Sequence, residues 1–394
     1  MSYFLPFLLV LLIVAALLRN EFFFTVAYFF LGLYVLARLW IRQTTTRLDA
    51  SRRFTERAFS GDQVTVDLVI ENQSRLPIPW LEIHESLPVQ LSTPPFHQTV
   101  VSVAGRRTHR VRYTLNCRQR GYYSIGPLTL ELGDLLGLTK RSQIQVEPQH
   151  LIVYPRVLPL EKLKLPTHSP LVALPARTPL FEDPARLMGV REYQRGDSPR
   201  RIHWTATANA GRLLVKRYEP AIARETLITL NLNQADYQQR RRYTATELAI
   251  TVAASLANHI IVNEKLPVGL STEAWDPLAD QVARFHLPPR KERAHLMHIL
   301  EILARVDVAE TITLADLLRR ESVSLPWGAT IAVISSSLNE RLLNTLVHLR
   351  QSGFAVTLVL IQPTHEAQTL FDRADVLGIP LHRVCQEEDA RIWP

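Results

Sequence analysis

Only two cysteines, Cys117 and Cys385, occur in the 394 residues, far apart and in no metal-binding or redox spacing. That excludes a disulfide framework and fits a reducing compartment. The chain also lacks the glycine-rich phosphate loop ending in Lys-Ser/Thr, Gly-x-Gly-x-x-Gly, the Gly-x-Ser-x-Gly elbow and His-Glu-x-x-His. These absences remove the common signatures of nucleotide hydrolysis, dinucleotide binding, esterase chemistry and zinc proteolysis. No zinc-finger spacing or aromatic RNA-binding signature accompanies the net charge of +8 and the pI near 9.6. The basic excess therefore predicts no nucleic-acid partner. It predicts a lipid surface, because many of the arginines flank apolar runs and each gains about 1 kcal/mol next to anionic lipid.

Long apolar runs are what the chain does have. Residues 1–18 and 22–37 carry no charged side chain, and only Arg19-Asn20-Glu21 separates them. Each approaches the roughly 17–25 residues that cross a bilayer, and together they raise the mean hydropathy to +0.01. No basic segment precedes the first run, as a cleaved signal peptide requires, so the pattern predicts a transmembrane helical hairpin over 1–41. Arg38, Arg42, Arg47, Arg52, Arg53 and Arg57 follow the second run, against Arg19 in the loop. The excess predicts a multi-pass protein of the cell inner membrane with its soluble domains in the cytoplasm.

Beyond the hairpin the hydrophobic period changes to two. Val64, Val66, Leu68 and Ile70 alternate with Thr65, Asp67 and Val69, and further short runs follow at 80–83, 99–103, 110–115, 122–125, 128–132 and 143–146. About seven strands between polar turns predict an immunoglobulin-like β-sandwich over 44–155. Seven prolines between Pro155 and Pro184 predict an extended linker over 156–184. From 226 to 394 apolar strands at 226–232, 267–270, 330–334, 355–361 and 381–384 alternate with helices at 244–262, 291–305, 314–320, 339–351 and 366–374. That alternation predicts a doubly wound α/β domain with a parallel sheet.

Between linker and sheet, residues 185–225 mix charge, aromatic rings and turn formers. Gly196-Asp197-Ser198-Pro199 reads as a turn feeding a helix, with Asp197 as its N-cap and Gly211 as its stop. Leu213 to Tyr218 alternate as a strand, predicted to join the edge of the following sheet. One reading makes the segment a latch, with Trp204 packed beneath the helix and Arg191-Glu192 as an internal ion pair. The other makes Arg191, Arg200, Arg201, Lys216 and Arg217 a charged docking face. A latch can also hold a docking face.

Arg191-Glu192-Tyr193, Gly196-Asp197, Arg200-x-Ile202-x-Trp204, Thr207-Ala208 and Leu214-Val215-Lys216 resemble the signature of the bacterial domain of unknown function 58 family. Arg120-Gly121-Tyr122-Tyr123, Gly126-Pro127, Asp134-x-x-Gly137-Leu138 and Val153-Tyr154-Pro155 extend the resemblance upstream. His203 and Asn209 depart from it, standing where the family usually has Asp or Asn and Arg. The resemblance implies a membrane-anchored protein with a von Willebrand factor A-like α/β domain and a MoxR-type AAA+ ATPase as partner. It implies no reaction.

A-domains hold Mg²⁺ on an Asp-x-Ser-x-Ser loop and a second Asp. The matching positions are Asn231-Leu232-Asn233-Gln234-Ala235 and Ser335-Ser336-Ser337, which carry no carboxylate, so a degenerate site without metal is expected. Asp236 is the one neighbouring carboxylate. His295-x-x-His298 has no third ligand in sight and reads as a packed or surface pair. Arg195-Gly196-Asp197 spells an integrin tripeptide that a cytoplasmic location deprives of meaning. The reading that follows is a non-enzymatic adaptor without cofactor, bound to the bilayer and to the ATPase or its client. The alternatives are a Mg²⁺-dependent receptor or hydrolase at the strand-end loops, and a purely structural envelope protein.

Overall fold

A computed structural model describes residues 4–18, 21–133, 142–160, 182–194, 197–220, 225–363 and 368–390. Two compact units result, Met1–Arg156 and Val157–Pro394. The linker residues 161–181, Arg195, Gly196 and the Asp134-to-Leu138 motif lie outside the described residues.

The first unit opens with helices α1 (Phe4–Leu18) and α2 (Glu21–Thr45), which pack on each other. Of the two, α2 is long and apolar enough to cross a membrane, and little of it is buried in the protein. The stretch Arg242–Asn263 passes the same length and composition test but is largely buried in the α/β domain, as a core helix would be. The last turns of α2 seat on the sandwich. Trp40 Nε1 donates to the Pro77 carbonyl at 3.0 Å, and Ile41 and Thr44 are buried.

Ten strands follow: β1 (Leu48–Arg53), β2 (Arg57–Phe59), β3 (Gln63–Asn72), β4 (Ile78–Ser86), β5 (Phe96–Val103), β6 (Arg107–Asn116), β7 (Gly121–Ile125), β8 (Leu128–Leu132), β9 (Ser142–Val146) and β10 (Gln149–Tyr154). They form sheets ordered β1-β3-β6, β5-β4-β8-β9 and β2-β10-β7. Leu68 and Ile70 of β3 share a core with Ile78, Leu81 and Ile83 of β4 and with Leu128 and Leu130 of β8. Val64 and Val66, at the other end of β3, pack instead with Ile125, Leu151 and Val153. One long alternating strand thus serves two cores.

Arg52, taken from the sequence as one of the membrane-flanking cations, is wholly buried here. It pairs with Glu85, itself inaccessible, and Tyr113 donates its hydroxyl proton to the same carboxylate. Arg52 Nη1 also reaches the Glu147 carbonyl at 3.3 Å. Burial, reinforced by the Glu85 charge, pushes the Tyr113 phenol well above its ordinary value. The buried Cys117 thiol is pushed up to about 11, chiefly by desolvation.

In the second unit β11 (Glu182–Glu192), helix α3 (Trp204–Ala210) and β12 (Leu214–Pro220) precede the α/β domain. β12 pairs antiparallel with β11 in a separate two-stranded ribbon. The expectation that it would join the edge of the following sheet is therefore corrected. Pro184, assigned above to the linker, lies within β11, where a two-stranded ribbon offers the edge positions proline tolerates.

The domain proper runs β13 (Thr226–Asn231), α4 (Arg242–Asn258), β14 (Val268–Asp276), β15 (Gln281–Arg290), α5 (Arg293–Arg305), α6 (Leu314–Ser322), β16 (Thr330–Ser335), α7 (Glu340–Gln351), β17 (Ala355–Ile361), α8 (Gln368–Val376) and β18 (Leu381–Val384). Sheet order is β15-β14-β13-β16-β17-β18, the 3-2-1-4-5-6 order of doubly wound folds. All pairs are parallel except β14–β15. That antiparallel edge strand escaped the sequence reading, which took the sheet as parallel throughout. Pro288-Pro289 disguised it, and an edge is where such residues are allowed. β13, β16 and β17 are buried along their whole length. Ile331, Val333, Val356 and Leu358 pack with α6, α7 and α8 in one core, while α4 lies against β13, β16 and β17.

His295 sits buried on α5, its Nε2 2.9 Å from the Val268 carbonyl, whereas His298 is exposed. Burial lowers the imidazoles of His295, His259 and His382 below the ordinary 6.5. Lowered histidines favour the neutral folded form, so their stabilisation is complete above about 6.5 and is lost as pH falls through the window below it. Glu264, raised by burial, works in the opposite sense but in the carboxylate range. We expect hydrogen-exchange protection in β13 and β14 to fall as pH drops below the ordinary histidine value of 6.5, and His295→Gln to flatten that slope. An unchanged slope in the variant would refute the assignment.

Candidate functional site

Two places bring the singled-out residues together. The first is the ribbon and its turn. Arg191, on β11 opposite Val215, forks onto Asp197, with Nη1–Oδ2 at 2.7 Å and Nη2–Oδ1 at 2.6 Å. The same carboxylate accepts the Gln194 N–H at 2.9 Å. The Arg191 hydrogen bond, then the Gln194 N–H, hold the Asp197 carboxyl below its usual range. Asp197 is thus a brace between strand and turn, where the sequence suggested a helix cap. Glu192 likewise pairs with Arg212 and not with Arg191. Arg212 was not singled out in the sequence, and its place one residue after the helix-stopping Gly211 was the available signal.

A single 3₁₀ turn at Pro199–Arg201 follows, with Pro199 in first position. The cap of α3 is His203, whose Nδ1 accepts the Ala206 N–H at 3.2 Å. Gly211 ends the helix at φ 64°, as the sequence predicts, a conformation costly for any residue with a Cβ. Thr207 Oγ1 accepts the Leu214 N–H at 3.0 Å, and the His203 N–H reaches the Leu214 carbonyl at 2.9 Å, stapling α3 to β12. Ile202, Leu214 and Val215 are buried beneath.

Trp204 is not beneath anything: it is 67% exposed. Trp204 and Ala208, one turn apart, lie on the exposed face of α3, while Ile202, in extended backbone before the helix and bridged to Val215, is buried. Val190 and Leu213 are exposed on the ribbon, and Arg191, Arg200, Arg201 and Arg212 are exposed around them. Tyr193 is half-buried, its N–H donating to the Leu213 carbonyl at 3.0 Å. Lys216 is half-buried on β12, opposite Val190, and Arg217 stands opposite Gly189. A latch is present, built from braces other than those expected, and it leaves Trp204 and several arginines of the same segment exposed to solvent.

The second place is the strand-end rim. The Asn231 amide donates to Asp236 Oδ2 at 2.8 Å and to Ser335 Oγ at 3.1 Å. Ser337 Oγ donates to the other Asp236 oxygen at 2.7 Å. Asn231 Oδ1 accepts the Asn233 N–H at 3.0 Å, and Asn233 Nδ2 bonds the Thr311 carbonyl at 2.9 Å. The Tyr237 hydroxyl closes the ring onto the Asn231 carbonyl at 2.6 Å, and burial raises its phenol above the ordinary value. A Mg²⁺ ion needs lone pairs turned inward, with carboxylate charge. Here an N–H₂ group and a hydroxyl donor are turned onto the single carboxylate, so these residues do not fit the ion. No group of three His, Cys, Asp or Glu gathers in a metal-binding cluster among the described residues.

Asn231→Asp should reverse this balance. Two carboxylates in the place of that 2.8 Å contact raise the pKa of one, so the variant loses stability as pH rises through the raised value. We expect a loss of about 1–3 kcal/mol near neutral pH, partly restored by added Mg²⁺, read from the thermal unfolding of the α/β domain. Wild-type stability at both acidic and neutral pH would contradict the network.

Fold and site together define a doubly wound domain of von Willebrand factor A-like type, carried behind a β-sandwich and fronted in sequence by a braced, arginine-rich ribbon. Residues 189–368 match the family model described as "Protein of unknown function DUF58", which supports assignment of the chain to that family. A curated relative, the uncharacterized protein YeaD of Bacillus subtilis (strain 168), is 21% identical over 351 residues, covering 86% of this chain and 82% of that protein. Among solved structures, the CARDB domain of the PF1109 protein from Pyrococcus furiosus aligns with 27% of this chain and 91% of its own, at 11% identity and a TM-score of 0.20. The alkylpurine DNA glycosylase AlkC of Pseudomonas fluorescens aligns with 27% and 30%, at 9% identity and 0.19. Structural likeness at that level carries no functional argument.

Proposed function

We propose that this protein is a membrane-anchored adaptor without catalytic activity of its own, and that the ribbon face around Trp204 docks a MoxR-type AAA+ ATPase or its client. The observation that supports the reading most is Trp204, exposed at 67% in a segment that also exposes Arg191, Arg200, Arg201 and Arg212 and is braced by the Arg191–Asp197 fork. Trp, Tyr and Arg dominate the energetics of protein interfaces, and a rigid scaffold reduces the entropy lost on docking. The identity of the partner rests on the family resemblance. Anchoring through α2, with α1 as the second span and the soluble units in the cytoplasm, would hold weakly binding partners at high local concentration. No metal enters this reading, because the rim residues are spent on one another.

Affinity purification of the tagged protein from gently solubilised native membranes tests it, run with ATP, with a non-hydrolysable analogue and without nucleotide. Nucleotide-dependent enrichment of an AAA+ ATPase is the expected result. Its absence in every state, from cells that express one, overturns the proposal.

A further inference from the structure

We propose that the α/β domain carries a binding site for a phosphorylated small organic molecule, in a cavity at the carboxyl ends of β17 and β18. The cavity measures about 880 Å³, within the span of small-ligand pockets, and lies where doubly wound sheets bind ligands. It is distinct from the ribbon face, and the inference stands without the docking proposal.

Its lining includes the exposed Arg240, Arg241 and Arg383 and, among the described residues, no carboxylate. Arg240 and Arg241 make no ion pair or side-chain hydrogen bond among the described residues. They stand immediately before α4, a 17-residue helix with no acidic residue in its first turn and no side-chain cap. Two uncompensated guanidinium groups and the positive end of a long helix therefore act on one space. Arg383 faces it from β18, held with its guanidinium carbon 4.5 Å from the centre of the Phe371 ring. The nearby Asp389 is turned to the backbone, one of its oxygens accepting the N–H groups of Cys385 and Gln386, both at 2.9 Å, and forms no ion pair with these arginines among the described residues. Asp236 has both oxygens occupied by Asn231 and Ser337. Three arginines converging on one opening, none of them ion-paired among the described residues, suit an oxyanion, and arginine forks match phosphate oxygens.

Gln362 adds the organic part. It holds φ 45°, a strained region for a residue with a Cβ, of the kind that clusters at ligand sites. Its Nε2 donates to the Cys385 carbonyl at 3.2 Å, while its buried Oε1 accepts nothing among the described residues. An oriented, buried acceptor beside an anion site suits a ligand that carries a hydroxyl or amino donor next to its phosphate. The sequence signal is Arg240-Arg241-Arg242 opening a helix, with no glycine-rich loop before it to mark an anion site.

The test is isothermal titration of the full chain in detergent micelles, using ribose phosphate and AMP as probes, with inorganic phosphate and a hexaglutamate peptide as comparison arms. We expect saturable binding of the two organic phosphates. Arg241→Gln and Arg383→Gln should each weaken it tenfold or more at unchanged thermal midpoint, and Gln362→Ala should weaken the organic probes but not inorganic phosphate. Failure of both organic phosphates to saturate overturns the proposal, as do equal affinities for the arginine variants. Tighter binding of hexaglutamate would make the cavity a peptide site and overturn it likewise. Inorganic phosphate binding as well as the organic probes, with no effect of Gln362→Ala, would remove the organic ligand.

Discussion

On the docking proposed above, Trp204→Ala should release the AAA+ partner almost completely while leaving the protein folded and its membrane attachment unchanged. The ring is 67% exposed in the free chain, so its removal leaves no cavity and the thermal midpoint should stay at the wild-type value. An anchoring tryptophan at the centre of an interface contributes about 2–4 kcal/mol. At 1.4 kcal/mol per decade, partner affinity should fall by about 30-fold to several hundred-fold. Arg191→Ala provides the contrast. It removes the fork that holds Asp197, so the turn should loosen and binding should weaken through disorder as well as lost charge. Hydrogen exchange separates the two, because the Gln194 amide should lose protection in the arginine variant and keep it in the tryptophan variant. Wild-type partner recovery by Trp204→Ala would show that the exposed ring is incidental.

Glu85→Ala should be the most damaging single change in the sandwich. Arg52 and Glu85 are both fully inaccessible, and Tyr113 shares the carboxylate. Removing one partner of a buried pair leaves the other charge uncompensated, a loss of about 3–5 kcal/mol. The expected reading is a drop in exchange protection along β3 and β6 of about two to three decades, with the α/β domain unaffected. Replacing both Arg52 and Glu85 with methionine should recover most of that loss, since an apolar pair of similar volume needs no compensation. A double variant as unstable as Glu85→Ala would mean that packing around the pair, and not its charge, holds the two sheets.

What was legible in the chain depended on whether the deciding interaction was local. Val64 to Ile70 announced β3 because alternation is written in consecutive residues. Gly211 announced the end of α3 because its left-handed conformation is a property of one residue. The buried runs of β13, β16 and β17 were visible as unbroken apolar segments. β15 was hidden by its two prolines, and its antiparallel direction follows from a short turn after β14 that no hydrophobic pattern encodes. In the signature, charges were correctly picked out and wrongly paired. Sequence adjacency put Arg191 with Glu192, whereas neighbouring strand residues point to opposite faces and the folded turn brings Asp197 to the guanidinium. Trp204 was expected to be buried as a large aromatic, whereas the structure buries Ile202, before the helix, against β12 and leaves Trp204 exposed. The rim around Asn231 was located by its alignment with a metal loop, but its donors could be seen to face Asp236 only in three dimensions.

The join between α2 and the sandwich has a mechanical meaning. Only Thr46 and Arg47 separate helix from strand, and both are tied by backbone bonds to the last turn of α2, with Arg47 also accepting from Gln73. With Trp40 pinned to Pro77 and Ile41 and Thr44 buried, the junction has no hinge. Embedded in a bilayer, such a helix behaves as the handle of a lever, because hydrocarbon thickness sets its tilt. A thinner membrane would tip the handle and swing the sandwich with it, and torque applied to the sandwich would be felt by the lipids. On the anchoring proposed above, work done on this unit would be done against the membrane as well.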